Sequence, residues 1–424
     1  MTDLRGLLRH AIIDIGPLRR HRDFRMLFFG QLATIFGSML TYVAMPYQVY
    51  RLTGSSLTVG LLGLADFVPV VTLGLIGGAL ADVIDRRRLV LVTEFLLMAA
   101  AAALAWNASF TQPSVAVIFA VEVIAAAAWS LQRPALDALP PRLVERDELT
   151  AAGALSTFQT TTGLLAGPAI GGVLLAAVGL APTYAIDVAT FGVSLVLLAL
   201  MRAVPPPADA SRAGLRSIAD GLRYARSRPE LLGTYAVDIS AMFFGMPQAL
   251  YPQIARSFGG PGVLGLLYSA PAAGALIASA TSGWAAHVNR HGRAVVLAAV
   301  VWGLGTIAFG FSSALWIALV SLGVAGGADA ISGIFRRRIW NETIPDELRG
   351  RLASIEMISF SSGPLLGNVE SGSVASLAGV RFSVVSGGIL CVVGALGCAL
   401  LLPAFWRYDP RSASSSSSSA TSLR

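Results

Sequence analysis

Seven of the acidic residues inside long apolar stretches of the chain are candidates for chemistry: Asp66, Glu94, Glu122, Asp187, Asp238, Asp329 and Glu356. An ionisable side chain in hydrocarbon costs roughly 2.5–3.5 kcal/mol on insertion scales, so it marks either function or a buried pair. Desolvation favours the protonated carboxyl, and water or an arginine arriving beside it favours the ion. A carboxyl group that alternates between those surroundings binds and releases a proton, which is the chemistry of proton coupling. By position within its stretch, Asp238 lies closest to mid-membrane. Asp66 and Glu122 lie in the outer halves of theirs, and Asp187 lies near the outer rim. Glu94, Asp329 and Glu356 lie toward the inner side, where arginines are available to pair with them. Asp238 first, then Asp66 and Glu122, are the candidate proton-coupling residues. The alternative for each is a structural ion pair or a hydrogen-bonded helix contact.

Other chemistries are not expected. A chain without lysine has no phosphate-cradling Gly-x-x-x-x-Gly-Lys-Ser/Thr loop. His10, His21, His287 and His291 lie in or beside loops, away from any cysteine. Cys391 and Cys398 sit seven residues apart on one helix, roughly 10 Å along its axis, too far to bridge within it. No metal, no cofactor and no enzyme catalysis are therefore expected. Gln31, Tyr42, Gln48, Gln159, Thr160, Tyr235, Gln248, Tyr251 and Tyr268 either line a cavity or join helices.

The elements that position these groups are spanning helices. Of 424 residues, 55% are hydrophobic and 13% charged, against about 25% charged in soluble domains. A span needs roughly 20 apolar residues. Twelve blocks meet that need, at about 24–50, 57–81, 89–107, 114–137, 151–177, 183–201, 231–254, 263–286, 294–311, 314–335, 352–377 and 383–405. The Arg-rich residues before Phe24, broken by Gly16-Pro17, do not read as a signal peptide. Positive residues in short loops stay cytoplasmic. With the N-terminus inside, all but Arg51, Arg256 and Arg381 of the 31 arginines fall on the inner side, so both termini are expected there. The net charge of +7 is then an orientation signal, helped by anionic lipid, and calls for no nucleic acid.

The blocks form an all-α polytopic membrane protein of twelve helices in two pseudo-symmetric six-helix bundles, 24–201 and 231–405. A cytoplasmic N-terminal segment (1–23), a cytoplasmic linker (202–230) and a disordered Ser-rich tail (406–424) complete the chain. Within the linker, Leu215–Tyr224 is either an amphipathic surface helix or a solvated connection. The halves repeat short motifs in matching order. Met45-Pro46, expected to end one helix, is matched by Met246-Pro247, and Gly167-Pro168-Ala-Ile-Gly171 by Gly363-Pro364-Leu-Leu-Gly367. Asp147-Glu148-Leu149 is likewise matched by Asp346-Glu347-Leu348. Repeated bundles are how secondary transporters build two states around a central site.

The loop after the second block, Gly78-Ala-Leu-Ala-Asp82-Val-Ile-Asp85-Arg86-Arg87-Arg88, resembles the Gly-x-x-x-Asp-Arg-x-Gly-Arg-Arg signature of the major facilitator superfamily. It departs at Val83 and Asp85. The resemblance implies that Asp82 latches the inner gate, while Arg86, Arg87 and Arg88 serve that latch or orientation alone. The fifth block, Gly163-Leu-Leu-Ala-Gly167-Pro168-Ala-Ile-Gly171-Gly172, matches fully the pattern associated with the superfamily's exporters. Glycines four apart let helices approach closely, and the proline bends the helix. A narrower resemblance, carried by Pro134–Leu149, Ala249-Leu-Tyr251-Pro252 and Arg349-Gly350-Arg351, is to the drug:proton antiporter-3 branch. That branch contains the enterobactin exporter and actinobacterial multidrug pumps. It implies a proton-coupled exporter of amphipathic small molecules, drugs or siderophore-like metabolites, working by alternating access. The expected partners are a small-molecule substrate, protons and membrane lipid, with the chain functional as a monomer. An importer or uniporter on the same fold is the alternative; a non-transporting receptor lacks a signalling domain here.

Overall fold

All twelve apolar blocks are helical in the computed structural model, which describes residues 13–205 and 223–409, without the side chains of 75, 77–79, 81–82, 346–351 and 353–360. Six helices make up the first half: α1 Arg22–Thr53, α2 Ser56–Val83, α3 Arg86–Ser109, α4 Val115–Asp137, α5 Leu149–Val178 and α6 Leu180–Ala199. The second half has α7 Pro229–Phe244, α8 Pro261–Ala280, α9 His291–Gly310, α10 Leu315–Thr343, α11 Asp346–Ala378 and α12 Val380–Leu401. Ten helices among the described residues are long and apolar enough to cross a membrane. The remaining two spans are α7, which is split, and α11, 33 residues long with charges in its first turns. The expected amphipathic stretch Leu215–Tyr224 lies almost wholly outside the described residues, and the Ser-rich tail beyond Asp409 lies wholly outside them.

The matching Met-Pro pairs behave differently in the two halves. α1 runs straight through Pro46 to Thr53, so Met45-Pro46 does not end a helix. In the second half, α7 stops at Phe244, a short turn follows, and a separate helix Tyr251–Phe258 completes the span. Backbone freed within a bilayer must find partners inside the protein. Here the Gly245 carbonyl accepts from Trp302 Nε1 at 2.9 Å and from Thr306 Oγ1 at 3.1 Å. The Ala249 N–H donates to Asn368 Oδ1 at 3.0 Å. Asn368 and Trp302 thus stabilise an interruption that α1 lacks.

The chain divides into two compact units. One comprises Met1–Met45 and Thr72–Arg212, the other Pro46–Val71 and Ala213–Arg424. This differs from a division at the linker, because segment 46–71 packs with the second half. The reason is close backbone approach. A Cβ on Gly63 would crowd the Leu365 carbonyl carbon at 3.1 Å, one on Gly60 the Asn368 carbonyl carbon at 3.0 Å, and one on Gly372 the Ser56 carbonyl oxygen at 2.6 Å. The Ser56 hydroxyl also donates to Gln253 Oε1 at 2.6 Å. Inside the first unit, α3 packs against α4 and α6. Inside the second, α9 packs against α10 and α12 in the corresponding way, and α7 lies against α11 and α12.

Candidate functional site

α10 extends unbroken past the end of its apolar block, because no helix breaker occurs before Ile344-Pro345. That extension carries Arg336 into the second unit rather than into a loop. Its guanidinium is nearly fully buried and pairs with Asp238 of α7 through Nη1, while Nη2 lies 3.3 Å from Asp329 Oδ1 on its own helix. Asp238 is therefore a member of an ion pair, the alternative open to each of the acids, and Arg336 lies within a helix. One cation faces two carboxylates. Arg337, the next residue of α10, is also within electrostatic reach of Asp329. A narrow crevice beside it is lined by Val237, Ala241, Met242, Ala299, Trp302 and Ser332.

The glycine pattern of α5 lies directly on α1. A Cβ on Gly167 would stand 2.5 Å from Met39 Cβ, and one on Gly171 would stand 3.2 Å from Leu40 Cα. Gly163 meets Ile35 in the same way. Pro168 and Gly172 are buried in the same helix. The second unit repeats the arrangement between α11 and α7. A Cβ on Gly363 would lie 2.7 Å from Met242 Cβ, and one on Gly367 would lie 2.9 Å from the Met242 carbonyl oxygen. Both halves thus use a glycine–proline helix to seat closely on the helix that opens the half.

The arginine run after α2 is engaged within the first unit. Asp85, which departs from the glycine of the superfamily signature, caps α3 by accepting from the Arg88 N–H at 2.9 Å. Arg87 donates to the carbonyls of Leu198 and Ala199 at 2.8 and 2.6 Å, where α6 exposes its unsatisfied C-terminal groups. Arg86, buried, donates to the Ala138 carbonyl at the end of α4 at 3.3 Å. These arginines therefore tie three helix ends together, a role beyond orientation. The surroundings of Gly78 and the side chain of Asp82 lie outside what the structure describes.

The remaining acids are dispersed. Asp66 is half-buried in segment 46–71, and Glu122 is half-buried in the first unit, within electrostatic reach of Tyr184. Glu94 is fully buried and meets no arginine among the described residues; Gln31, Thr34 and Gln132 surround it. The expectation of an arginine partner thus holds for Asp329 and fails for Glu94. Glu356 has its side chain outside the described residues. Glu148, from the repeated Asp-Glu-Leu, accepts from Arg20 at 2.9 Å and contacts His21, fastening the N-terminal segment to α5. The sequence signal for Glu94 was the polar pair Gln31 and Thr34, three residues apart on an apolar helix.

Residues 13–420 match the model of a family described as transmembrane secretion effector. The chain is 29% identical over 396 residues to the enterobactin exporter EntS of Citrobacter koseri, covering 92% of this chain and 94% of that protein. The enterobactin exporter of Escherichia coli O1:K1 is 28% identical, over 91% of this chain and 93% of its own. Among solved structures, a peptide transporter of the POT family superposes with a TM-score of 0.73 at 13% identity, over 95% of this chain and 99% of its own. A bacterial homologue of the lysosomal transporter Spinster, solved inward-facing and unoccupied, gives 0.72 at 14% identity, over 92% and 98%.

Proposed function

We infer the function from one premise: the chain belongs to the transmembrane secretion effector family of the major facilitator superfamily, across residues 13–420. It is a multi-pass membrane transporter that exports amphipathic small molecules, and it is not an enzyme. The observation that carries the export direction is the similarity, over more than nine-tenths of each chain, to enterobactin exporters. The cargo we propose is a siderophore resembling enterobactin, or drugs of similar amphipathic character. The driving ion is the proton, since the second unit holds one arginine between two acids. One charge crossing 100 mV releases about 2.3 kcal/mol, enough for roughly a fifty-fold gradient of cargo. The transporter works as a monomer.

Everted membrane vesicles test this reading. Energised vesicles are expected to accumulate enterobactin or one of a panel of antibiotics and dyes, and a protonophore is expected to abolish that accumulation. Accumulation indifferent to the protonophore, or confined to right-side-out vesicles, would count against proton-driven export.

The placement of both termini in the cytoplasm follows from the arginine distribution. Single cysteines near Gln112 and Pro182 are expected to react with an impermeant thiol reagent on intact cells. A cysteine near Arg216 is expected to react only after permeabilisation, and its labelling on intact cells would reverse the orientation.

A further inference from the structure

Apart from the arginine cluster, the first unit buries two acids against a single face of α1. Glu94 on α3 is the more central, and its two carboxyl oxygens have different surroundings. Oε1 accepts two amide N–H groups, from Gln31 Nε2 at 2.8 Å and Gln132 Nε2 at 3.2 Å. Oε2 meets a hydroxyl, Thr34 Oγ1 at 3.3 Å, and that same hydroxyl lies 3.2 Å from the Gly30 carbonyl. A threonine hydroxyl has one proton to give and lone pairs to accept with. When Glu94 is ionised, Thr34 donates to it. When Oε2 carries a proton, Glu94 donates to Thr34, which turns its own proton to the Gly30 carbonyl. Both protonation states are therefore fully hydrogen-bonded without moving a heavy atom.

No cation is paired with Glu94 among the described residues, although its side chain is completely buried. The groups facing it from α1, α4 and α6 are Gln31, Thr34, Gln132 and Ser194, all neutral. The charged group within electrostatic reach is Asp187 of α6, itself an acid. Asp187 repeats the arrangement: it accepts from Thr41 on α1 and lies 3.3 Å from Thr190 Oγ1, whose proton also reaches the Asp187 backbone carbonyl at 2.7 Å. Gln31, Thr34, Gly37 and Thr41 follow at three- and four-residue spacing, so they share one face of α1. Gly37 lets Asp187 and Thr190 lie directly on that helix.

We propose that Glu94 is a proton-binding site of the first unit, switched by the Thr34 hydroxyl, with Asp187 as a second acid on the same α1 face. The step is simple proton transfer: an O–H bond to Oε2 forms as one to water breaks, and the reverse occurs on release. Two acids in electrostatic reach of each other resist being ionised together, so a proton leaving one favours its arrival at the other. If the chain is proton-driven, the reading on which this role rests, motion of α1 would expose Glu94 by breaking the Gln31 and Thr34 bonds.

Infrared spectroscopy of the purified full-length protein tests this without knowledge of the cargo. The wild type is expected to show a protonated-carboxyl band, sensitive to deuteration, that titrates with pH. Glu94→Gln is expected to lose the Glu94 component of that band and to keep the component of Asp187. Thr34→Val is expected to move the midpoint upward by about half to one pH unit, because the anion loses more than the acid does. A Glu94 that stays ionised as a structural acceptor would contribute no titrating band at all. A band of undiminished amplitude in Glu94→Gln, or a Thr34→Val midpoint equal to wild type, overturns the assignment, and Thr34→Val decides the matter if Glu94→Gln does not fold. In proteoliposomes, pH-driven uptake of ethidium or enterobactin separates the two ideas. Absence of gradient-driven uptake by wild type, with Glu94 still titrating, refutes proton drive but not the site. Equal uptake by Glu94→Gln and wild type refutes the coupling role of Glu94.

Discussion

Replacing Gly167 with leucine is expected to leave the protein in the membrane and lower efflux about tenfold or more. The estimate comes from overpacking costs of about 1–3 kcal/mol at a tight contact, applied to whichever state needs α5 and α1 in register. Even a Cβ at Gly167 would stand 2.5 and 2.7 Å from Met39 side-chain carbons, so the whole isobutyl group has no place without parting the helices. A control lies on the same helix: a Cβ on Gly153 would meet nothing within 4 Å, and Gly153→Ala should transport normally. Met39→Ala should partly restore Gly167→Ala, the coupling expected of residues in direct contact. Gly363→Leu, against Met242, should behave like Gly167→Leu if the second half rocks in the same way. Wild-type efflux from Gly167→Leu at normal expression would reduce the glycine face to packing alone.

Removing Arg336 is expected to cost more than removing either acid beside it. Arg336→Met leaves Asp238 and Asp329 facing each other without their cation. Breaking a buried pair by deleting one partner typically costs about 3–5 kcal/mol. Asp238→Asn, by contrast, leaves Arg336 still beside Asp329 at 3.3 Å. Thermal unfolding in detergent should therefore fall steeply for Arg336→Met and little for Asp238→Asn. Adding Asp238→Asn to Arg336→Met should recover part of the loss. Functionally, Asp238→Asn keeps shape and hydrogen bonding but gives up one ionisable site, so cargo should still bind and exchange downhill while gradient-driven accumulation fails. Equal melting temperatures for all three proteins would mean that the arginine does not hold the cluster together. Persistence of accumulation in Asp238→Asn would leave the coupled proton to other acids, Asp66 and Glu122 among them.

Much of this was legible from residue order, because the membrane imposes rules that act locally. Each span announces itself through a run of apolar residues, and the proposed orientation reads from arginines counted loop by loop. The glycines of α5 and α11 were recognisable as packing faces, since four-residue spacing on a helix defines a stripe whatever lies opposite. Met45-Pro46 and Met246-Pro247 looked alike, yet one lies within a continuous helix and the other precedes a short turn that joins two helices. What separates them is Trp302, Thr306 and Asn368, residues distant in sequence that supply partners for the freed backbone groups. The acids show the same limit. Depth along a span can be estimated from sequence, but azimuth and neighbouring helices cannot, so the pairing of Asp238 with Arg336, 98 positions away, is not readable from residue order. Glu94 appeared destined for an arginine and instead receives amides and a hydroxyl from α1 and α4. Sequence by itself determined that acids are buried in a helical membrane protein; tertiary packing decided which are charged partners and which stand among neutral donors, because a carboxylate's protonation depends on the few ångströms around its oxygens, and those are furnished by other helices.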